Sequence, residues 1–479
     1  MGPCFRRDDS GVYCLTYPSC TSSVPFWKLN VSNPPSLRKS FLSFLAPMLL
    51  SNVLQSLFGT INGVYLGQMI GVDALAAASV FFPVMFFFIS FVIGLSAGAS
   101  VMIGQAWGAG EPDRVKAVAG TTMTVTLLLA LAIAISGGLF ARPLLVALAT
   151  PPDVLDAAVS YARIMMITMP VTFAFLLLAA MMRGVGDTVT PLVALTVSTI
   201  VGLVVTPALI RGWLGLPMLG VASAAIASAV SGVVTLLWLH VHMLRHKHPL
   251  AFDTAFLRAM RPNGALLRIV LRLGIPTAIG MVVVSLAELV LLGLVNGFGS
   301  DATAAYGAVN QVIGYVQFPA ISIAITTSIF GAQAIGRGEP GRVGAIVRTG
   351  LEMNLALTGG LVVLGYLFAR PLMGFFITDS AVLALAQQLL YIVLWSMVLF
   401  GMATVFSGAM RAGGTVWMPL FISTLAIAAV EVPVATLLSR AIGISGIWIA
   451  YPVTFATMFL LQMAYYVLVW RKQTIKRLI

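Results

Sequence analysis

Of 479 residues, 59% are hydrophobic and only 9% carry charge, against roughly a quarter in a soluble globular chain. So few charges cannot cover a water-facing surface of this size, which excludes a soluble enzyme or soluble binding domain. The formal net charge of +12 is no nucleic-acid signal, because the basic residues sit in short stretches between apolar runs instead of clustering on one face.

Residues 1–36 hold all three cysteines, Cys4, Cys14 and Cys20, without metal-ligand spacing and without the apolar core of a signal peptide, and read as a mobile tail. Apolar runs long enough to cross about 30 Å of hydrocarbon then predict helices over 41–66, 75–106, 116–140, 156–182, 188–210 and 219–244. A basic linker with Pro249 and Pro262 spans 245–267, and six more helices follow over 268–297, 303–334, 344–368, 382–410, 416–439 and 443–470. Backbone polar groups cannot stay open in hydrocarbon, so helices are the spanning element, and the long unbroken runs exclude a β-barrel.

The predicted spans sort the 27 Lys and Arg residues by side. Only Arg142, Arg211, Arg370 and Arg440 fall opposite the tail, with Arg163 near a helix start. This asymmetry predicts a multi-pass protein of a bacterial-type inner membrane with both termini in the cytoplasm.

The chain also repeats itself. Leu139-Phe140-Ala141-Arg142-Pro143-Leu144 returns unchanged as Leu367-Phe368-Ala369-Arg370-Pro371-Leu372. Gly108, Gly110, Glu111, Pro112 and Arg114 return as Gly336, Gly338, Glu339, Pro340 and Arg342, Gln105 as Gln333, Arg183 as Arg411, and Pro191 as Pro419. Six spans per repeat bring the chain back to its starting side, so the halves must lie parallel. The expected architecture is an all-α membrane protein of twelve transmembrane helices in two parallel six-helix repeats around a central cleft. Its parts are a tail (1–36), an N-terminal lobe (37–244), a linker (245–267) and a C-terminal lobe (268–479). Repeats of this kind place a substrate between the halves and alternate its access.

At these residues the chain resembles the multidrug and toxic compound extrusion (MATE) family. The resemblance runs from about residue 37 to 470 and rests on a combination of motifs. They are Pro47 with Gln55, Asn62 and Gly67, then Gly71-Val72-Asp73-Ala74-Leu75-Ala76, Gly104-Gln105-Ala106-Trp107-Gly108-Ala109-Gly110, and Arg183-Gly184-Val185-Gly186-Asp187. It implies export of small amphipathic, often cationic compounds driven by inward H⁺ or Na⁺. The sequence departs from the family at the usual coupling positions: many relatives have Asp where Asn62 stands, others an acid at Thr206 or Phe400, and a frequent Glu falls at Val284.

Of the fifteen Asp and Glu residues, only Glu288 and Glu431 fall deep in predicted spans. A buried charge costs several kcal/mol, so each is either a cation carrier or a neutral acid that ties helices together. They are the candidate coupling residues, with H⁺ favoured over Na⁺. Gln55 and Asn62 share a helix face in the first span, and Asn310 and Gln311 lie early in the eighth; these four either line the cleft or bond helix to helix. Phe81, Phe82, Phe86, Phe87 and Phe88, with Met85, either line a greasy cleft or, since they nearly encircle their helix, face lipid or pack, the latter being the commoner case. Gly94, Gly98 and Gly104 read as close helix packing. All four histidines, His240, His242, His246 and His248, crowd the end of the sixth span and read as interfacial groups beside Arg245 and Lys247, not as a metal site.

No nucleotide-binding loop, zinc-protease motif or nucleophile–base–acid set is present in the sequence. The reading is therefore a secondary transporter, not an enzyme, working as a monomer among lipids, with no catalytic residue, metal, cofactor or nucleic acid. A lipid or lipid-linked sugar flippase is the alternative, but it would want basic residues inside the cleft to hold a diphosphate, and the helix bodies have almost none. A membrane-embedded enzyme or sensor would need a reactive constellation or an added soluble domain.

Overall fold

The computed structural model describes residues 36–148, 150–215, 220 and 222–479, without the side chains of 72–80, 153 and 214. The tail with its three cysteines lies outside the described residues. No strand occurs among the described residues. The first half contains α1 (Leu37–Tyr65), α2 (Val72–Gly108), α3 (Pro112–Ala147), α4 (Pro152–Ile167), α5 (Met169–Gly184), α6 (Val189–Arg211) and α7 (Ala222–Arg245). A short α8 (Thr254–Ala259) leads to the second half: α9 (Gly264–Asn296), α10 (Ser300–Gly336), α11 (Val343–Leu367), α12 (Ala369–Gly374), α13 (Ser380–Val393), α14 (Ser396–Ala412), α15 (Trp417–Ala426), α16 (Val432–Ile442) and α17 (Ile444–Leu468).

Among the described residues ten spans are long and apolar enough to cross a membrane by themselves, and two bent pairs, α4–α5 and α13–α14, bring the total to twelve when each is taken as one span. The halves correspond in order and run parallel. Even their turns repeat: Gly71 (φ 126°) and Gly299 (φ 98°) precede α2 and α10 with backbone that favours glycine. Two of the predicted spans, 156–182 and 382–410, are bent. Between α4 and α5 the axis turns by 48°, where Pro170, in the first turn of α5, has no N–H to continue the ladder. Between α13 and α14 the turn is 42° without any proline. There the Ser396 hydroxyl donates to the Val393 carbonyl at 2.6 Å, and such local back-bonding bends helices.

The halves meet most extensively where α2 crosses α9. A Cβ on Gly94 would strike the Gly274 carbonyl, and one on Gly98 would come within 2.7 Å of the Val270 carbonyl. Small residues thus let two backbones touch, as expected of a helix interface with no apolar driving force against lipid. The related crossing of α1 and α10 is filled instead by Phe41 and Phe44 packed edge-on against Phe330 at 5.4 and 5.2 Å. One bond, Asn52 Nδ2 to Ser322 Oγ at 3.0 Å, crosses there as well.

The linker is docked to the first half. Asp253 caps α8 by accepting from the Phe256 N–H at 2.8 Å and pairs with Lys116 of α3. Thr124 donates to the Met260 carbonyl at 2.6 Å. The Lys116 ammonium, by its hydrogen bond, holds the Asp253 carboxyl below the usual carboxylate range.

Candidate functional site

The chain of causes behind the site begins at Pro433. Without an N–H it cannot donate to the carbonyl four residues back, and the turn Ile427–Glu431 widens into a π-helix in which the Val432 N–H reaches the Ile427 carbonyl. This widened turn, between α15 and α16, carries Glu431, which is buried at 6% exposure. Glu288 sits on α9, eight residues before its end at Asn296, about 12 Å along the axis. Its side chain is exposed on the bare protein surface. The two carboxyls are close enough for the charge of one to act on the other.

Both also act on two tyrosines that join α10 to α17. The hydroxyls of Tyr306 and Tyr451 lie 3.2 Å apart, within the field of Glu288 and Glu431. Asn310 lies one helical turn on from Tyr306 and close enough to act on its hydroxyl. Trp448 packs against Tyr306 at 5.3 Å and Tyr451 at 5.5 Å between ring centres. The aromatic wall continues through Phe455 to Phe400, ring to ring at 6.0 and 5.2 Å.

The structure thus brings Glu288, Glu431 and Asn310 together in the second half. It leaves Gln311 exposed on α10 and Gln55 exposed on α1. Asn62 instead meets Thr206 of α6, whose hydroxyl donates to Asn62 Oδ1 at 3.5 Å. Two positions at which the family resemblance implies an acid are therefore neighbours here, as an uncharged pair. Sequence reasoning missed Tyr306, Trp448 and Tyr451. The available signal was polar aromatics one turn apart in α17, with Tyr306 one turn from Asn310.

Among the described residues no group of three or more His, Cys, Asp or Glu is placed to hold a metal. His248 departs from the interfacial reading of the histidines, being buried at 4% exposure. Its Nδ1 accepts from the Leu250 N–H at 3.1 Å, and its Nε2 faces Asp187 Oδ2 at 3.5 Å. The other oxygen of Asp187 caps α6, accepting from Val189 and Thr190 at 3.1 and 3.0 Å. Burial pushes the Asp187 carboxyl up, but hydrogen bonds from His248 and Thr190 outweigh it and leave the carboxyl below its usual range. Its contribution to stability is therefore present above the unfolded carboxyl pKa and fades as pH falls below it. Asp187→Ala is expected to lower stability by about 1–2 kcal/mol through the lost cap and partner. Thermal unfolding in detergent checks this, and Asp187→Asn, which keeps the capping oxygen, should recover part of the loss.

Comparison with known proteins agrees with this architecture. The MatE family model matches twice, over residues 47–208 and 276–437, once in each half. The chain is 44% identical to the probable multidrug resistance protein YoeA of Bacillus subtilis (strain 168), over 93% of this chain and 96% of that protein. The chain belongs to the MATE multidrug efflux transporter family. A more distant relative is a protein of Shewanella oneidensis described as an FAD transporter, 27% identical over 81% of this chain and 85% of that one. Among solved structures, a mutant of the Vibrio cholerae MATE transporter VcmN superposes with a TM-score of 0.85 at 21% identity, covering 92% of this chain and 98% of that one. That likeness establishes the shared fold. The MATE chain is accordingly a multi-pass membrane transporter of small molecules. Its two family matches include Asn62, Thr206, Glu288 and Glu431 but stop short of Trp448 and Tyr451.

Proposed function

We propose that this MATE protein is a secondary active exporter of small amphipathic, cationic compounds, driven by an inward cation, H⁺ in preference to Na⁺, through alternating access. The observation that carries the proposal is that Glu288 of α9 and Glu431 of the widened turn lie within electrostatic range of each other and of Tyr306 and Tyr451. Two intramembrane carboxyls in mutual range are costly to keep and call for a cationic partner. A proton needs a single carboxyl, whereas Na⁺ needs several oxygen ligands, and the acids that relatives supply at Asn62, Thr206 and Phe400 are absent. An aromatic wall beside carboxylates also suits an organic cation.

The cycle follows from competition. A proton entering from outside neutralises the acids and favours the conformer that has released substrate; its loss inside restores the charge that holds the next cation. A ligand shifts such an equilibrium only by its different affinity for the two conformers. Gln55, Asn62, Asn310 and Gln311 are proposed cleft residues of lesser weight. The decisive experiment is reconstitution in liposomes with a fluorescent cationic dye and an imposed pH or Na⁺ gradient. Dye movement is expected to follow the pH gradient, and movement that follows a Na⁺ gradient alone would overturn the H⁺ assignment.

The basic end of the molecule, which carries Arg114, Arg183, Arg245, Arg342 and Arg411, is proposed to face the cytoplasm of a bacterial-type inner membrane. The protein would work as a monomer among lipids, with lobes 37–244 and 268–479 joined by the linker 245–267. A reporter fused after Ile479 should behave as cytoplasmic and one inserted at Asp73 as external; a cytoplasmic result at Asp73 would reverse this topology.

A further inference from the structure

We propose that residues 473–479, which follow α17, form a latch that holds the two halves shut at the basic end and must release before the cleft opens there. The proposal rests on alternating access and on the cytoplasmic orientation argued above.

The latch closes over a reciprocal pair of bonds. Gln105, at the end of α2, donates from Nε2 to the Ala412 carbonyl in the second half at 2.8 Å. Its repeat partner Gln333, at the end of α10, donates from Nε2 to the Gly184 carbonyl in the first half at 3.0 Å. Ala412 and Gly184 are themselves matched by the repeat, and both are last residues of helices, where carbonyls lack donors within the helix. Each half thus satisfies a helix end of the other. The backbones touch at this level: a Cβ on Gly108 would run into Gln333, and one on Gly336 into Gln105.

The segment after α17 breaks the symmetry of this arrangement. Its root is tied by the Trp470 indole N–H, which donates to Thr415 Oγ1 at 3.0 Å. From there the Leu478 N–H donates to Gln105 Oε1 at 2.8 Å, so the glutamine of the first half is held from both ends of its amide. The Leu478 side chain packs over Gly414 of the second half. The Arg477 guanidinium donates to the Gly336 carbonyl of the second half, while its Nη1 lies 3.6 Å from Glu111 Oε1 of the first. Ile475, Leu478 and Ile479 pack on the apolar core shared by α2, α5, α10 and α14. One short segment therefore bonds to both halves where they must part.

The test uses the full chain in lipid nanodiscs, with Cys4, Cys14 and Cys20 replaced by Ser. Spin labels go on Asp113→Cys and Gly341→Cys, which are exposed and matched by the repeat. Pulsed dipolar spectroscopy then reads the separation of the basic ends. Arg477→Ala with Leu478→Pro removes the guanidinium and the N–H that bonds Gln105. The ratio of long to short separations is expected to rise about tenfold, the effect of losing one or two buried bonds. Glu111→Gln, a milder change that leaves the segment itself intact, should shift the ratio the same way by a smaller factor. If these variants keep the parent's unfolding temperature and its distance distribution, the latch does not exist. The measurement uses no gradient and no substrate. Loss of pH-driven dye export in the parent would overturn the exporter reading and leave this result standing.

Discussion

Glu431→Gln is expected to cut pH-driven export of a cationic dye by tenfold or more, while the protein still inserts and folds. Glutamine keeps the shape of the protonated acid, so the helix turn at Pro433 and its packing survive; what is lost is the capacity to alternate between charged and neutral. In the proposed cycle both the inward proton and the outward cation draw on that one charge, and a permanently neutral residue cannot make their binding exclusive. The residual binding difference between conformers then falls toward zero, and with it the coupling. Glu288→Gln should reduce export as well, and the double variant should go no further than the worse single one, because residues that act as a unit are not additive. Initial rates of dye movement against imposed pH steps decide the matter. Parent rates in both single variants and in the double variant would make the pair structural and move the coupling site elsewhere.

Much of the fold was legible because membrane spans demand so little of a sequence: length, apolarity and punctuation. Gly108 and Gly336, or Gly110 and Gly338, could be matched by eye because each half had to make the same turns. The bend at Pro170 had a visible cause, whereas the bend beside Ser396 depends on one hydroxyl choosing the Val393 carbonyl, a choice the residue type alone does not dictate. The acids stood out because ionisable groups are rare at depth. Tyr306, Trp448 and Tyr451 did not, since aromatic residues are ordinary in apolar helices and only the meeting of α10 with α17 gives them meaning. Gln105 and Gln333 were visible as a matched pair, but a linear repeat does not say that two equivalent residues reach across an axis into each other's half. The basic neighbours of His248 in the sequence point to an interfacial group. His248 is buried because the chain turns back after α7, and the Leu250 N–H bonds to its own ring nitrogen.

The crossing of α2 and α9 supports the other large expectation. Gly94→Val should destabilise the protein by about 3 kcal/mol or more, beyond the usual cost of overpacking a core, and leave little monodisperse protein in detergent. The reason is that the obstacle is backbone. A Cβ at Gly94 meets the Gly274 carbonyl and stands 3.0 Å from Ala278 Cβ, and a Cβ at Gly274 would stand 2.9 Å from the Gly94 carbonyl. No rotamer change relieves contacts of that kind, so the helices must separate along their shared face, taking Gly98 and Val270 with them. Gly63→Ala is the control. Nothing lies within 4 Å of a Cβ there, and replacing a helical glycine by alanine at an open site is neutral or stabilising by up to about 1 kcal/mol. Gly94→Ala is the informative intermediate: its single methyl is enough to hit the carbonyl of Gly274 but too small to fill the interface. If it leaves the unfolding temperature at the parent's value, α2 and α9 can slide apart cheaply, and the rigid contact between the halves lies at the Gln105 and Gln333 level instead.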